Sequence, residues 1–469
     1  MKKRLIPLLA GLVGLVGFVA LPAARAQSTD ATITALGLNY VPPVVVVHTG
    51  DGAVLDNKDP VTHDVQSRDG LFHSGSVSGG TSGPVLGVDK LPPGEYAYYC
   101  SFHSWMNGVL VIEDQVPTPP TPVAPGVGTI PAAGAVAAPT SITVHDGSLY
   151  AASYVQGAVE QLPILAGGAL GPATTYASGF TNPLGIAFGS DGTLFVSDSH
   201  TSTTPGRLTD GRVWAVPPGG GTPTVVIDGL PNGRHNTNGM AVFNGRLYIT
   251  NGSSTDDGVS GGPPEVPPWT GSVLSVPEGD RNLTLTSPDV TVVLKGGRNL
   301  YDIVFRPGTS EAWVPMNGPD MFDPYGEDLL LKADVTQPAP DFGFPECLYG
   351  PGGVNDWISN TVVSSTNPCT GAQKLPEQIM GLHVSADGAA FGVAPFDPNS
   401  LYVALFGNFF GSNVVGHQVV RVPIDPVTGK AGPLQTVFAG GLPLDIAFGP
   451  DGTMYVADFA AGIEVVKHL

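Results

Sequence analysis

Apolar residues in this chain fall in short runs separated by Gly, Pro, Asn and Asp, and beyond the N-terminus no long run keeps the 3.6-residue period of a helix. From residue 139 onward one pattern recurs: a strand, a turn led by Asp-Gly, Asn-Gly or Pro-Gly, and a second strand. Copies begin at Pro139, Gly185, Gly239, Asp302, Val393 and Asp445, and most are followed by two more strands, as in Gly211-Arg-Val-Trp-Ala-Val. Six four-stranded units at periods of roughly 45–80 residues predict a six-bladed β-propeller with loop insertions. The chain stops after Gly462-Ile-Glu-Val-Val-Lys, one strand short of a full sixth unit. A segment near Gly128–Val136 is expected to supply the missing strand and close the ring.

Ahead of the repeats the pattern changes twice. Met1-Lys-Lys-Arg4, the apolar run Leu5–Leu21 and Ala24-Arg25-Ala26 read as a secretory signal peptide cleaved after Ala26, an uncleaved anchor being the alternative. Residues 27–114 carry strand patterns of their own. Residues 115–138, opening with Val116-Pro-Thr-Pro-Pro-Thr-Pro, are rich in Pro, Ala and Gly. That composition predicts a stiff spacer reaching at most about 70 Å at the polyproline rise. The expected organisation is therefore a signal (1–26), a first domain (27–114), a linker (115–138) and the propeller (139–469). With 64 Gly, 46 Pro and 13% charged residues, the composition suits an all-β protein with many turns.

Charge and cysteine usage narrow the functional classes. Cleavage would remove Lys2, Lys3, Arg4 and Arg25 and leave 16 basic residues against 40 acidic ones, a net charge of about −24. That argues against nucleic acid and anionic membranes and suits a cationic redox partner such as a cytochrome, with a solvated acidic surface as the plainer reading. No second apolar span follows the signal, so a periplasmic or secreted location is expected. Of the three cysteines, Cys347 and Cys369 are expected to pair in an oxidising compartment, leaving Cys100 for other chemistry.

Cys100 lies in the stretch Tyr96-Ala-Tyr-Tyr-Cys100-Ser-Phe-His103-Ser-Trp-Met106-Asn-Gly. Cys, His and Met at i, i+3 and i+6 after an aromatic strand offer a thiolate, an imidazole and a thioether, the soft donors that favour copper. A mononuclear electron-transfer site needs one more imidazole, and Pro60-Val-Thr-His63-Asp offers it upstream.

Residues 31–113 resemble a cupredoxin of the amicyanin or plastocyanin type, carried by Asn39-Tyr-Val-Pro-Pro, Gly50-Asp-Gly-Ala-Val-Leu-Asp-Asn57, His63-Asp-Val, Leu91-Pro-Pro-Gly-Glu-Tyr-Ala-Tyr-Tyr-Cys100 and Gly108-Val-Leu-Val. The resemblance implies a Greek-key β-sandwich with a type 1 copper on His63, Cys100, His103 and Met106. It implies electron exit through His103, flanked by Phe102 and Trp105. Asp64 stands where many such proteins carry an Asn that steadies the ligand loop.

Residues 139–469 resemble the glucose/sorbosone dehydrogenase family, propellers that use pyrroloquinoline quinone (PQQ). The likeness rests on Gly233-Arg-His235-Asn, Gly297-Arg298-Asn299, Asn317-Gly318-Pro319-Asp320 with Glu327-Asp328 and then Asp341-Phe-Gly-Phe-Pro345, and the stretch from His383 to Gly429. It implies His235 as general base, Arg298 and Asn299 at the quinone, and Gly318, Pro319 and His383 at the cofactor and its calcium. The chain departs from the family pattern at Leu442-Pro-Leu-Asp445, where basic residues usually bind the cofactor's carboxylates, at Ser253 and at Phe344.

Three readings follow. The protein is a copper electron carrier fed by sugar or alcohol oxidation in its own propeller; or its propeller only binds or docks; or the propeller is a lactonase-like hydrolase, for which no cluster of Glu, Asn and Asp ligands is evident.

Overall fold

The computed structural model describes residues 30–468 apart from 37–38, 41–43, 69, 93, 104–105, 114–120, 123–126, 131–135, 202–208, 260–261, 320–325, 350–356, 360–368, 370–372 and 408–414. The signal segment therefore lies outside the described residues. The elements are strands, with two short 3₁₀ turns.

The N-terminal part is a sandwich of two four-stranded sheets. One runs in the order Asn39–Tyr40, Ala31–Leu36, Ala53–Asn57, Ser82–Val85; the other Val44–His48, Asn107–Glu113, Gly94–Tyr99, Gln66–Ser67. Strand Ala53–Asn57 alternates buried and half-buried positions, as one face against a core requires. Ile33 and Leu55 from one sheet meet Tyr98, Leu110 and Ile112 from the other in a single apolar cluster.

Six further sheets form the propeller. Their inner strands lie at Pro139–His145, Gly185–Phe188, Thr237–Phe243, Asn299–Leu300 with Val304–Phe305, Ala386–Phe391 and Pro443–Phe448. Each neighbouring pair of blades buries an apolar cluster: Tyr150 and Val159 against Ile186 and Leu194, Val213 and Val226 against Leu247, Val273 against Val314. Trp313 packs with Leu401, Tyr402 with Ile446, and Tyr455 with Leu149. The last of these joins the sixth blade to the first, so the ring is closed, and the Ile142 amide seals the same seam by donating to Asp445 Oδ2 at 2.7 Å.

Two features differ from the sequence reading. The fifth unit begins at Ala386, upstream of Val393, because Pro395 cannot donate to a strand ladder and residues 393–399 form the turn instead. And the stretch read as a spacer donates two strands to the propeller. Thr121–Pro122 adds a fifth strand to blade five beside Gln435–Ala439, and Val127–Ile130 pairs with Gly462–His468 as the outer strand of blade six. The expected closing strand is thus supplied at the start of the segment near Gly128–Val136. Between Glu113 and Thr121 only a short segment remains, with an extended reach of about 26 Å in place of 70 Å.

Cys347 and Cys369 form a disulfide across the long connection within blade four, and Cys100 is free and buried.

Candidate metal centre and propeller mouth

Strand Gly94–Tyr99 delivers Cys100 to the end of the sandwich, and strand Asn107–Glu113 resumes the ladder after the loop. The loop between is held by its own backbone. Cys100 N donates to Met106 O at 3.0 Å, His103 N to Cys100 O at 3.3 Å and Met106 N to His103 O at 3.0 Å. The spacing of donors i, i+3 and i+6 thereby folds back on itself, and Met106 is fully buried in the turn. His63 reaches the same point from the connection after strand Ala53–Asn57. Its backbone pairs with Val77, and Asn57 Nδ2 ties that connection down by donating to Val61 O at 2.7 Å and Val77 O at 2.9 Å.

Cys100 Sγ lies 3.6 Å from His63 Nδ1 and 3.6 Å from His103 Nδ1. Among the described residues, these three form the one group of His, Cys, Asp or Glu whose ligand atoms all lie within 4.8 Å of one another. His63 Nε2 meets Asp59 Oδ2 at 2.9 Å, which fixes the tautomer carrying Nε2–H and aims the Nδ1 lone pair at the sulfur. Burial pushes the Cys100 thiol up, while backbone amides of Asp64, Phe102 and His103 pull it down. His103 is half-buried and Phe102 beside it is 51% exposed; Trp105 lies outside the described residues.

Asp64 braces the loop from the side of the first histidine. Its Oδ1 accepts from Ser101 N at 2.6 Å and its Oδ2 from Ser101 Oγ at 2.6 Å, while its main-chain carbonyl accepts from the buried Tyr40 hydroxyl. Asp59 was not singled out in the sequence. A carboxylate at i−4 from a ligand histidine was the available signal.

The propeller candidates come together at one mouth. The Cα of Gly252 packs directly against His235, with Asn299 next to it. Ser253 N donates to Arg298 O at 2.7 Å, and His235 Nδ1 lies 3.1 Å from Ser253 O and 3.0 Å from Ser253 Oγ. Asn299 Nδ2 donates to Asn317 Oδ1 at 2.6 Å, and Asn317 Nδ2 to Asp387 Oδ1 at 3.1 Å. Gly318 N donates to Asp328 Oδ1 at 2.7 Å, and Gly326 sits between Pro319 O and His383. Residues far apart in sequence are therefore neighbours here.

Arg298 is only 2% exposed, and its guanidinium pairs with Asp256 through Nη2 and, through Nε at 3.0 Å, with the Asp256 carbonyl. Arg234 Nε lies 3.3 Å from the same carboxylate. Asp256 escaped the sequence reading, and Asn317 entered it only as part of the Gly318-Pro319 motif, because Arg298 and Asp387 reach them from neighbouring blades. Burial pushes the Asp328 carboxyl up to about 7, and Asp387 well above the usual range.

The comparisons with known proteins bear on the fold of each half. Residues 9–112 match the model of the cupredoxin-like domain, so the sandwich that carries the Cys–His–His centre is a cupredoxin-like domain. The propeller has the fold of PQQ-type sugar dehydrogenases. The calcium structure of a Trichoderma reesei carbohydrate-active enzyme of family AA12 aligns at 16% identity, covering 76% of this chain and 98% of its own, with a TM-score of 0.62. The holo form of the pyranose dehydrogenase PQQ domain from Coprinopsis cinerea aligns at 17% identity over 74% and 96%, with a TM-score of 0.59. The PQQ-bound aldose sugar dehydrogenase from Streptomyces coelicolor aligns at 17% identity over 74% and 99%, with a TM-score of 0.51. At these identities the likeness is one of fold. No curated protein matches the chain. Among the described residues no helix is long and apolar enough to cross a membrane.

Proposed function

We propose that this is an exported electron-transfer protein that binds a type 1 copper through His63, Cys100, His103 and Met106, and that its propeller oxidises a sugar or alcohol and passes the electrons to that copper. The observation that carries the reading is the convergence of two imidazole Nδ1 atoms, each 3.6 Å from a buried cysteine sulfur. This soft, nitrogen-and-sulfur donor set fits copper. Copper, when bound, supplies a one-electron couple. Asp59 keeps the His63 ring in the ligating tautomer, Asp64 holds Ser101 and with it the start of the ligand loop, and burial of Cys100 and Met106 excludes water. The half-buried His103 is the exit toward a partner, which the acidic surface suits to a cationic protein such as a cytochrome.

In the propeller, PQQ with calcium would supply the acceptor for the substrate hydride. His235 would take the substrate hydroxyl proton at Nε2, its Nδ1 being held by Ser253. The carbonyls of Gly318 and Pro319 would hold the calcium, His383 would line the same side, and Arg298 and Asn299 would face the cofactor. Each substrate releases two electrons, which the copper would accept one at a time, and the short tether keeps that acceptor at high effective concentration.

A second reading, a propeller that binds or docks without catalysis, is favoured by one observation. Asp256 pairs with both Arg298 and Arg234, the cations an anionic quinone would need. The visible absorption of the copper-loaded chain tests the copper half: an intense thiolate-to-copper band should be present and should vanish in Cys100→Ser. Adding PQQ, calcium and an aldose tests the other half. Bleaching of that band supports the dehydrogenase reading, and an unchanged band leaves the electron carrier with a binding propeller.

A further inference from the structure

Two carboxylates are buried against the copper donors without belonging to the donor set. Asp59 meets His63 Nε2 at 2.9 Å, and Asp64 is only 4% exposed beside it. Asp64 Oδ1 accepts from Ser101 N at 2.6 Å; its Oδ2 accepts from Ser101 Oγ at 2.6 Å and from Gln66 Nε2 at 3.0 Å. Both oxygens act as acceptors, so the carboxyl group is held from an amide, a hydroxyl and a side-chain amide at once. The Tyr40 hydroxyl, from the opposite sheet, holds the main-chain carbonyl of the same residue. With carboxylate and carbonyl both fixed, Asp64 cannot turn its charge out to solvent.

Reduction of the centre adds one electron and no proton, Cu(II) + e⁻ giving Cu(I), so the centre loses one positive charge. A fixed negative charge in a low-dielectric site favours the more positive state. We propose that Asp64, with Asp59 behind His63, holds the reduction potential of this copper low, so that the electron leaves the centre more readily than it enters. This rests on the copper reading above and makes Asp64 a positioning and tuning residue, not a ligand. The chain's departure from Asn at this position becomes a functional setting: the loop brace is kept, and a charge is added.

The test is spectroelectrochemical titration of the copper-loaded full chain as wild type, Asp64→Asn, Asp59→Asn and Ser101→Ala. Asp64→Asn keeps the shape and an oxygen for Ser101 N while removing the charge. It should shift the oxidised-to-reduced equilibrium at least tenfold toward Cu(I), a rise of about 59 mV for a one-electron couple. Asp59→Asn should shift it in the same direction. Ser101→Ala loses a hydrogen bond but no charge, and should move the potential far less. Should Asp64→Asn fail to hold copper, Asp59→Asn decides alone by the direction of its shift. The proposal is overturned if the variants keep the thiolate band while their potentials stay at the wild-type value or fall, or if Ser101→Ala reproduces the whole shift. A wild-type chain without a thiolate band would instead overturn the copper reading on which this one stands.

Discussion

The buried carboxyls of the propeller make its stability fall as pH rises through the acid range. Asp328 accepts from Gly318 N at 2.7 Å and from Ala386 N at 3.3 Å, the second amide belonging to the next blade. Desolvation outweighs both amides and lifts its carboxyl from 3.8 to about 7. Asp302, whose Oδ2 takes the Ala389 amide at 3.0 Å, is likewise lifted to about 7 by burial. A raised folded-state value means that the folded chain holds a proton which the unfolded chain has released. Stability is then full below the unfolded value near 3.8 and is lost as pH climbs toward 7. Each proton is worth about 1.4 kcal/mol per pH unit, so one such group can cost up to about 4 kcal/mol across that window.

Urea midpoints read by tryptophan fluorescence from pH 4 to 8 measure this, and four of the five tryptophans lie in the propeller, at 214, 269, 313 and 357. General repulsion among 40 acidic residues tilts the curve in the same direction, so the wild-type slope alone decides nothing. Asp328→Asn separates the two causes. It leaves nearly all of that repulsion in place, forfeits roughly 1 kcal/mol because its amide group faces the Ala386 N–H, and removes the buried charge. Its curve should start below the wild type at pH 4 and finish above it at pH 8. Parallel curves would refute the reasoning.

Three further outcomes are expected. A propeller started at residue 139 lacks the outer strand of blade six and the fifth strand of blade five, so it should melt well below one started at 114, as calorimetry would show; equal melting temperatures would mean that strands 121–122 and 127–130 do not close the ring. Replacing Cys347 and Cys369 by Ser reopens a loop of sequence separation 22 and should cost about 3 kcal/mol in the chain-entropy account, measured by denaturant unfolding. His235→Ala should abolish quinone-dependent aldose oxidation while leaving the copper absorption band untouched; a band that changes would tie this residue to the fold and not to proton transfer.

The two halves were unequally legible for a physical reason. Cys100, His103 and Met106 sit within one loop, so chain connectivity alone brings them near one another, and their residue types have few other uses together. His63 needed only the adjacent sheet. The propeller site is assembled from His235, just ahead of the third blade's inner strand, and from Arg298, Asn317 and His383, on or beside strands of the fourth blade but far apart in sequence, and no local spacing encodes that meeting. The pairing of Arg298 with Asp256 is of this kind, and it changes what the site can bind. The blades were readable because each is a local hairpin; the strands at 121–122 and 127–130 were hidden by proline- and glycine-rich sequence that resembles a spacer.

Part of the acidic balance does not face water. Asp445 takes the amide of Ile142 in the first blade, Asp302 that of Ala389 in the fifth, and Asp328 that of Ala386. Each carboxylate thus serves a backbone N–H at a seam between blades, where an orphaned donor would cost about 1–3 kcal/mol. In the sandwich, Asp59 and Asp64 do the same for an imidazole N–H and a loop amide. The same chemical device, a carboxylate fixed by amide and ring donors in a dry site, closes the ring in one half and surrounds the metal donors in the other. Its by-product differs: in the propeller the buried charge is relieved by taking up a proton, whereas beside the copper it can be balanced by the metal's own positive charge, which is why removing Asp64 should register first in the potential.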